Sequence, residues 1–458
     1  MKCDTCDNEA TIHITEIRRG LSYDRHLCER CAEMFLPLEE SDYADYLDAL
    51  PPRYSTHLGD EPLPTADELE MTGLVQQVIL VDLETGEARH TGPERGDAFS
   101  PVWSPDASRL ALCHSVETLQ SVVLVEPDGP WRRQFLRTSF AEAPSWSPDS
   151  CRIAFSHPDD GTRIVLAADV AGGGLHRLST VSCLDEFMPV WSPVDDRIAF
   201  LSRPVEGTDE EKSCCSVFVS TLDTERRRRV ITLEARLAAR HDWSPDGRLL
   251  AVLGVPVLDE ELPDILSAAE GSLHVVSSAS EDAADTALPV TCTGFAWAAR
   301  AAGMPGPALL ASVPTDDGET RSVLLIDPES REIRTVVDEV FFPAGEVHAT
   351  HLSPDGKTLV ALRGEHEDHI VFTDVSAGTE TVIRPRGEVA WVGWHPNGDE
   401  VLALIRIGRG VRMERITPEG RRREVATFGR ETFYDVPGMA VSGDGRFAAV
   451  EVHAVRRD

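Results

Sequence analysis

From Leu74 to Asp458 the chain alternates short apolar runs with polar turns. Four turns share one pattern: Trp103-Ser104-Pro105-Asp106, Trp146-Ser147-Pro148-Asp149, Trp191-Ser192-Pro193-Val194 and Trp243-Ser244-Pro245-Asp246, each followed by a basic residue and an apolar run. Looser copies stand at Trp297, Leu352-Ser353-Pro354-Asp355-Gly356, Trp394-His395-Pro396-Asn397-Gly398 and Val441-Ser442-Gly443-Asp444-Gly445. The copies recur every 42 to 55 residues, close to the length of one four-stranded propeller blade. Ser at the first position, Pro presetting φ at the second, Asp third and often Gly fourth suit a type I turn. The Trp therefore ends an inner strand. Arg109–Leu112, Arg152–Phe155, Arg197–Phe200 and Arg248–Val252 read as second strands.

Third strands are expected at Val122–Val125, Ile164–Ala167, Val217–Val219, Leu273–Val276, Val323–Ile326, Ile370–Phe372 and Val411–Ile416, each with a more polar fourth strand after it. The ends decide the topology. Val78–Val81 and Gly86–His90 form a third and fourth strand with no first or second before them, whereas Met439–His453 is a first and second with nothing after. The two halves complete one blade and remove the open edge. The fold class is therefore all-β: an eight-bladed β-propeller of four-stranded blades over 75–458, closed by a shared blade.

The first 35 residues have a different pattern. Cys3-Asp4-Thr5-Cys6 and Cys28-Glu29-Arg30-Cys31 are two C-x-x-C pairs with 21 residues between them. Thr11–Ile17 alternates as a strand, Arg18-Arg19-Gly20 turns, and Tyr23–Leu27 returns. Four thiolates complete the tetrahedral shell of Zn2+ and leave no position for water, so the metal is expected to be structural. So short a segment buries too little to fold alone, and zinc binding should supply most of its folding free energy. His13 and His26 belong to the hairpin rather than to the ligand set.

Between these parts, residues 36–74 hold ten Asp or Glu against one Arg, broken by Pro37, Pro51, Pro52, Pro62 and Pro64. They read as an acidic linker. The whole chain carries 44 Lys and Arg against 78 Asp and Glu, a formal charge of −34. Long-range repulsion then opposes nucleic acid and anionic membrane, and favours a basic protein partner. The first twenty residues lack an apolar run, and no stretch of about 18 apolar residues occurs. A soluble, cytoplasmic monomer is expected, its cysteines being ligands or reduced core thiols.

Two resemblances follow from the quoted motifs. Met1–Cys6, Ala10–Thr15 and His26–Ala32 resemble the first zinc module of the bacterial activator of protein-arginine kinase, which implies a zinc-dependent protein-contact module. The second cysteine set and C-terminal helical motif of that family are not visible here, which leaves kinase activation open. The Trp-Ser-Pro-Asp repeats resemble the WD-like propeller repeats of the Tol-system translocation protein and of prolyl-oligopeptidase relatives. That resemblance implies the propeller and carries no function with it.

Chemistry, if present, has to use the propeller itself: the chain has no G-x-S-x-G elbow, G-x-x-x-x-G-K loop or H-E-x-x-H. Candidates lie where fourth strands lead into first strands: Glu142, Asp185, Glu186, His241, Asp242, His348, His351, Glu388, Trp391, Tyr434 and Asp435, a ring at one mouth of the channel. Loops joining second to third strands emerge on that same face and are acidic, with Asp159, Asp160, Glu206, Asp209–Glu211, Asp259–Glu261 and Asp264 among them. The expected function is a non-catalytic interaction scaffold. The alternative is a propeller enzyme or small-ligand sensor using the channel mouth.

Overall fold

In the computed structural model the described residues are 12–18, 21–27, 74–91, 96–116, 119–127, 136–138, 144–159, 162–171, 174–179, 184–204, 215–222, 227–233, 237–255, 270–281, 286–315, 320–341, 351–363, 369–407, 410–428 and 438–455. Eight antiparallel sheets follow one another from Leu74 onward, and each meets the next face to face. Blade 1 is the shared one: Gly438–Val441 and Phe447–Val455 from the end of the chain join Leu74–Asp82 and Ala88–His90 from the start of the domain. Leu74–Asp82 pairs along its whole length with Phe447–Val455, Leu74 opposite Val455 and Asp82 opposite Phe447.

Blade 2 runs Asp97–Trp103, Leu110–Val116, Leu119–Val125, Leu136–Thr138. Blade 3 follows with Ser145–Trp146, Arg152–Asp159, Thr162–Asp169, Leu175–Arg177. Blade 4 is Leu184–Trp191, Arg197–Pro204, Cys215–Thr221, Arg228–Leu233. Blade 5 is Leu237–Trp243, Leu249–Val255, Gly271–Ser277, Ala287–Cys292. Blade 6 comprises Gly294–Ala298, Ala308–Pro314, Arg321–Ile326, Ile333–Val340. In blade 7 three strands, Thr358–Arg363, His369–Asp374 and Glu380–Ile383, are joined on the inside by two bridges, Phe341 to Leu362 and Leu352 to Leu359. Blade 8 is Glu388–Trp394, Val401–Ile407, Gly410–Ile416, Arg422–Phe428. The expected third strands fall within these elements and the second strands match them to within one residue at Arg109 and Arg248, while the expected first strand of blade 7 shows only bridges among the described residues.

The core is a ring of eight seams. Each apolar cluster draws its side chains from two consecutive blades, and the last, with Trp391 and Leu404 from blade 8 against Val81 and Val450 from blade 1, closes the circle. Both faces of every blade are buried, so second strands read as unbroken apolar runs rather than alternating ones. Neighbours still separate by period two: Ile198 and Phe200 enter the seam with blade 3, while Ala199 and Leu201 enter the seam with blade 5.

Closure is reinforced by the tryptophans. The Trp103 indole N–H donates to Ala440 O, Trp146 to Val102 O, Trp243 to Val190 O and Trp297 to Asp242 O, each bond crossing to the inner strand of the preceding blade at 2.9–3.1 Å. Trp191 and Trp394 bury their indole nitrogens without a partner. Among the described residues, the blades preceding them show the least inner strand, Ser145–Trp146 in blade 3 and the Phe341 and Leu352 bridges in blade 7.

At the N-terminus, Ile12–Arg18 pairs antiparallel with Leu21–Leu27, the two arms of the expected hairpin. Cys3, Cys6, Cys28 and Cys31, with the linker, lie outside the described residues. No described helix is long and apolar enough to cross a membrane.

Candidate functional site

The Ser-Pro-Asp carboxylates form the most regular polar feature of the propeller. Ser104, Ser147, Ser244 and Ser442 each donate to the aspartate two residues on at 2.6 Å, and Ser353 donates to Asp355 at 2.7 Å. The same serine oxygens accept the backbone N–H that opens the second strand, from Arg109, Arg152, Leu249, Phe447 and Thr358. The fourth turn position has positive φ, from 58° at Ser150 to 78° at Gly398. Hydrogen bonds from Ser147 and Ser353 hold the Asp149 and Asp355 carboxyls below the ordinary carboxylate range. These aspartates are turn formers with their lone pairs committed.

At the other end of the inner strands stand the candidates for chemistry. Glu186 is wholly buried in the seam between blades 3 and 4 and forms an ion pair with Arg227, with Ser202 Oγ 3.5 Å away. Arg227 comes from the start of the outermost strand and lies over the ring of Phe218, 3.8 Å from its centroid. Burial pushes the Glu186 carboxyl above its ordinary range, against the pull of Arg227. Asp185, on the neighbouring position, accepts from the backbone and guanidinium of Arg163 at 2.7–2.9 Å and from Arg203 at 2.9 Å. Burial would raise its carboxyl, but the two arginines outweigh that and lower it.

His241 is buried in blade 5 beside the Ala199 backbone, and burial outweighs that contact and pushes it down to about 4. Asp242 shares the strand face of Arg240, which lies over Phe295 of blade 6; burial raises the Asp242 carboxyl while Trp243 N–H donates to it at 2.8 Å. His351 is fully buried at the entry to blade 7, and Glu388 sits partly exposed 3.3 Å from Arg406. Trp391 is 5% exposed and packs in the seam between blades 8 and 1, so it is a core residue. Glu142, His348, Tyr434 and Asp435 lie outside the described residues. The described candidates thus face different seams: Glu186 between blades 3 and 4, Asp242 toward blade 6, Trp391 toward blade 1.

No family model matches the chain, and no curated protein does. Solved structures do align with it. A TolB protein from Agrobacterium tumefaciens is 15% identical, covering 83% of this chain and 98% of its own, with a TM-score of 0.36. A puromycin hydrolase is also 15% identical, over 78% of this chain and 58% of its own, at a TM-score of 0.48. An oligogalacturonate lyase from Vibrio parahaemolyticus is 12% identical, over 72% and 94%, at 0.45. The strand pairing and seams described above, rather than these likenesses, establish the propeller.

Two structural roles were not legible in the residue types. Asp97 and Asp185 occupy the same place, six residues before the terminal Trp, and each accepts a backbone N–H from the third strand of the preceding blade, Gln76 and Arg163. That shared offset was the available signal. His395 replaces the turn serine in blade 8 and bonds Gly445 O at 2.8 Å, locking turn to turn across the closing seam.

Proposed function

We propose that this chain is a non-catalytic protein-interaction scaffold, with the propeller as a rigid ring and the Cys3, Cys6, Cys28, Cys31 hairpin, folded around Zn2+, as a second contact point. The observation that supports this reading is the commitment of two channel-mouth carboxylates to structure: Glu186 is held by Arg227, and Asp185 by Arg163 and Arg203. A general acid or base needs a free proton-transfer path to a substrate, and these groups are locked in ion pairs. The net charge of −34 supports a basic protein as partner, and the acidic segments 206–211 and 259–264, which lie outside the described residues, are the contact this reading expects. Thiols competent for zinc need a reducing compartment, so the reading places the chain in the cytoplasm.

Affinity capture from lysate tests it with three proteins: the full chain, Cys28→Ser, and the full chain with Glu210, Glu211, Glu260 and Glu261 reversed to Lys. The reading expects zinc in the full chain, a partner retained by it at low salt, and loss of that partner on charge reversal. Capture unaffected by reversal and by salt overturns the charge assignment. Saturable binding of a small molecule that His241→Leu abolishes, with no protein captured, replaces the scaffold by a ligand sensor.

A further inference from the structure

The N-terminal hairpin carries metal-capable residues beyond the four cysteines of its expected zinc shell. In its register His13 stands directly opposite His26, and the next pair on the same face is Thr15 opposite Asp24. Ile17 and Ser22 complete that face. The other face collects Ile12, Ile14, Leu21, Tyr23 and Leu27. Apolar and metal-capable positions are therefore segregated across the ribbon.

The register also fixes the kind of pair. Only Arg19 and Gly20 connect the strands, so Arg18 and Leu21 are the corners of a two-residue turn and form the first hydrogen-bonded pair of the ladder. Bonded and non-bonded pairs alternate from there, which makes Ile17–Ser22, Thr15–Asp24 and His13–His26 the non-hydrogen-bonded ones. Pairs of that kind bring their Cα atoms to about 4.5 Å, roughly 1 Å closer than bonded pairs. A tetrahedral metal with imidazole nitrogens at about 2.0–2.1 Å holds two of them roughly 3.3 Å apart, a separation within reach of two histidines on a non-bonded pair. Asp24 follows on the same face, about 7 Å along the strand from His26, close enough for a carboxylate to join the shell directly or through one water.

Ligand type selects the cation. Imidazole suits Zn2+, Cu2+, Ni2+ and Fe2+, whereas Mg2+ and Ca2+ take oxygen shells. We propose that His13 and His26, with Asp24 as third ligand, form a second metal site for a transition-metal dication of the Zn2+ class, separate from the Cys3, Cys6, Cys28 and Cys31 set. Three protein ligands leave a tetrahedral shell one position short, so this metal, unlike one held by four thiolates, keeps a place for water or for a side chain of a partner. The inference goes beyond the scaffold reading and rests on the hairpin pairing alone, not on the cysteines.

Titration of the untagged, metal-stripped full chain with Co2+ under reducing conditions tests the assignment, with excess Mg2+ present to occupy sites made of oxygen alone. Thiolate ligation of Co2+ gives intense near-ultraviolet absorption that imidazole and carboxylate do not, so the two sites are read separately. One equivalent should bind without adding to that absorption. His13→Phe and His26→Phe should each weaken that equivalent by at least about tenfold, the low end of what losing even an outer-shell partner costs, and leave the thiolate absorption intact. Asp24→Asn should weaken it too. Glu16→Gln, which removes a carboxylate from the opposite face, should leave it unchanged. An equivalent indifferent to both histidine variants, or none beyond the thiolate site, overturns the proposal. If the histidine variants also lose the thiolate absorption, Asp24→Asn decides: weakening of the second equivalent alone sustains the site, and no weakening overturns it. A wild-type chain without thiolate absorption removes the four-cysteine reading, while a histidine-dependent equivalent in that chain still sustains this one.

Discussion

The Trp243 indole N–H reaches across the seam to the carbonyl oxygen of Val190, the residue just before Trp191 in the neighbouring inner strand, at 2.9 Å. The same tryptophan ring is covered by the guanidinium of Arg197, 4.9 Å from its centroid. Arg197 in turn donates to Gly247 O at 2.7 Å and to Ser278 Oγ at 2.8 Å, so one seam is closed by an indole going one way and a guanidinium going the other.

Replacing Trp243 by Phe removes that bond and leaves a buried carbonyl without its donor, a cost of about 1–3 kcal/mol beyond the lost volume. The Trp394 indole has no partner to lose, so Trp394→Phe should cost less. Denaturant unfolding of the two variants checks the order; equal losses would remove the hydrogen bond from the account.

Arg227→Met leaves Glu186 buried without its counter-charge, and removing one member of such a pair costs roughly 3–5 kcal/mol. The pH dependence has a defined sign. A carboxyl raised by burial stabilises the fold below its ordinary value of 4.5, and that contribution is lost as pH rises through the folded value. Without Arg227 the folded value rises further, so the penalty should grow from pH 5 to pH 8. Adding Glu186→Gln should recover most of it, measured as unfolding free energy at both pH values.

His241 works in the opposite direction. Its ordinary value of 6.5 falls to about 4 in the fold, so the unfolded chain takes up a proton between those values while the folded chain does not. Stability present above pH 6.5 is lost as pH falls toward 4, by roughly 2–3 kcal/mol at pH 4.5. His241→Leu should flatten that part of the acid limb. An unchanged acid midpoint in the variant would show that His241 does not drive it.

Ending the chain after Gly438 deletes the strand that pairs with Leu74–Asp82 and opens the inner edge of blade 1. The truncated protein should melt earlier and aggregate on heating. A truncated chain with the melting temperature of the full one would refute closure through this blade.

The sequence alone determined the blade number, the strand order and the closure, because these follow from local signals. Ser-Pro-Asp turns fold through bonds within five residues, as between Ser104 and Arg109, and half-blades at the two ends can only complete one another. Which seam a side chain enters was decided by the tertiary structure. Phe187 and Trp191 are four positions apart and would share a face in a regular strand, yet Phe187 packs toward blade 5 and Trp191 toward blade 3. A bulge between Phe187 and Val190, with Met188 at φ 52°, reverses the alternation there, and nothing in the residue types announces it. The pairing of Glu186 with Arg227 joins the innermost and outermost strands of blade 4. Trp391 belongs to the core because blade 1 returns to cover it. Each depends on parts of the chain meeting only once the ring has closed.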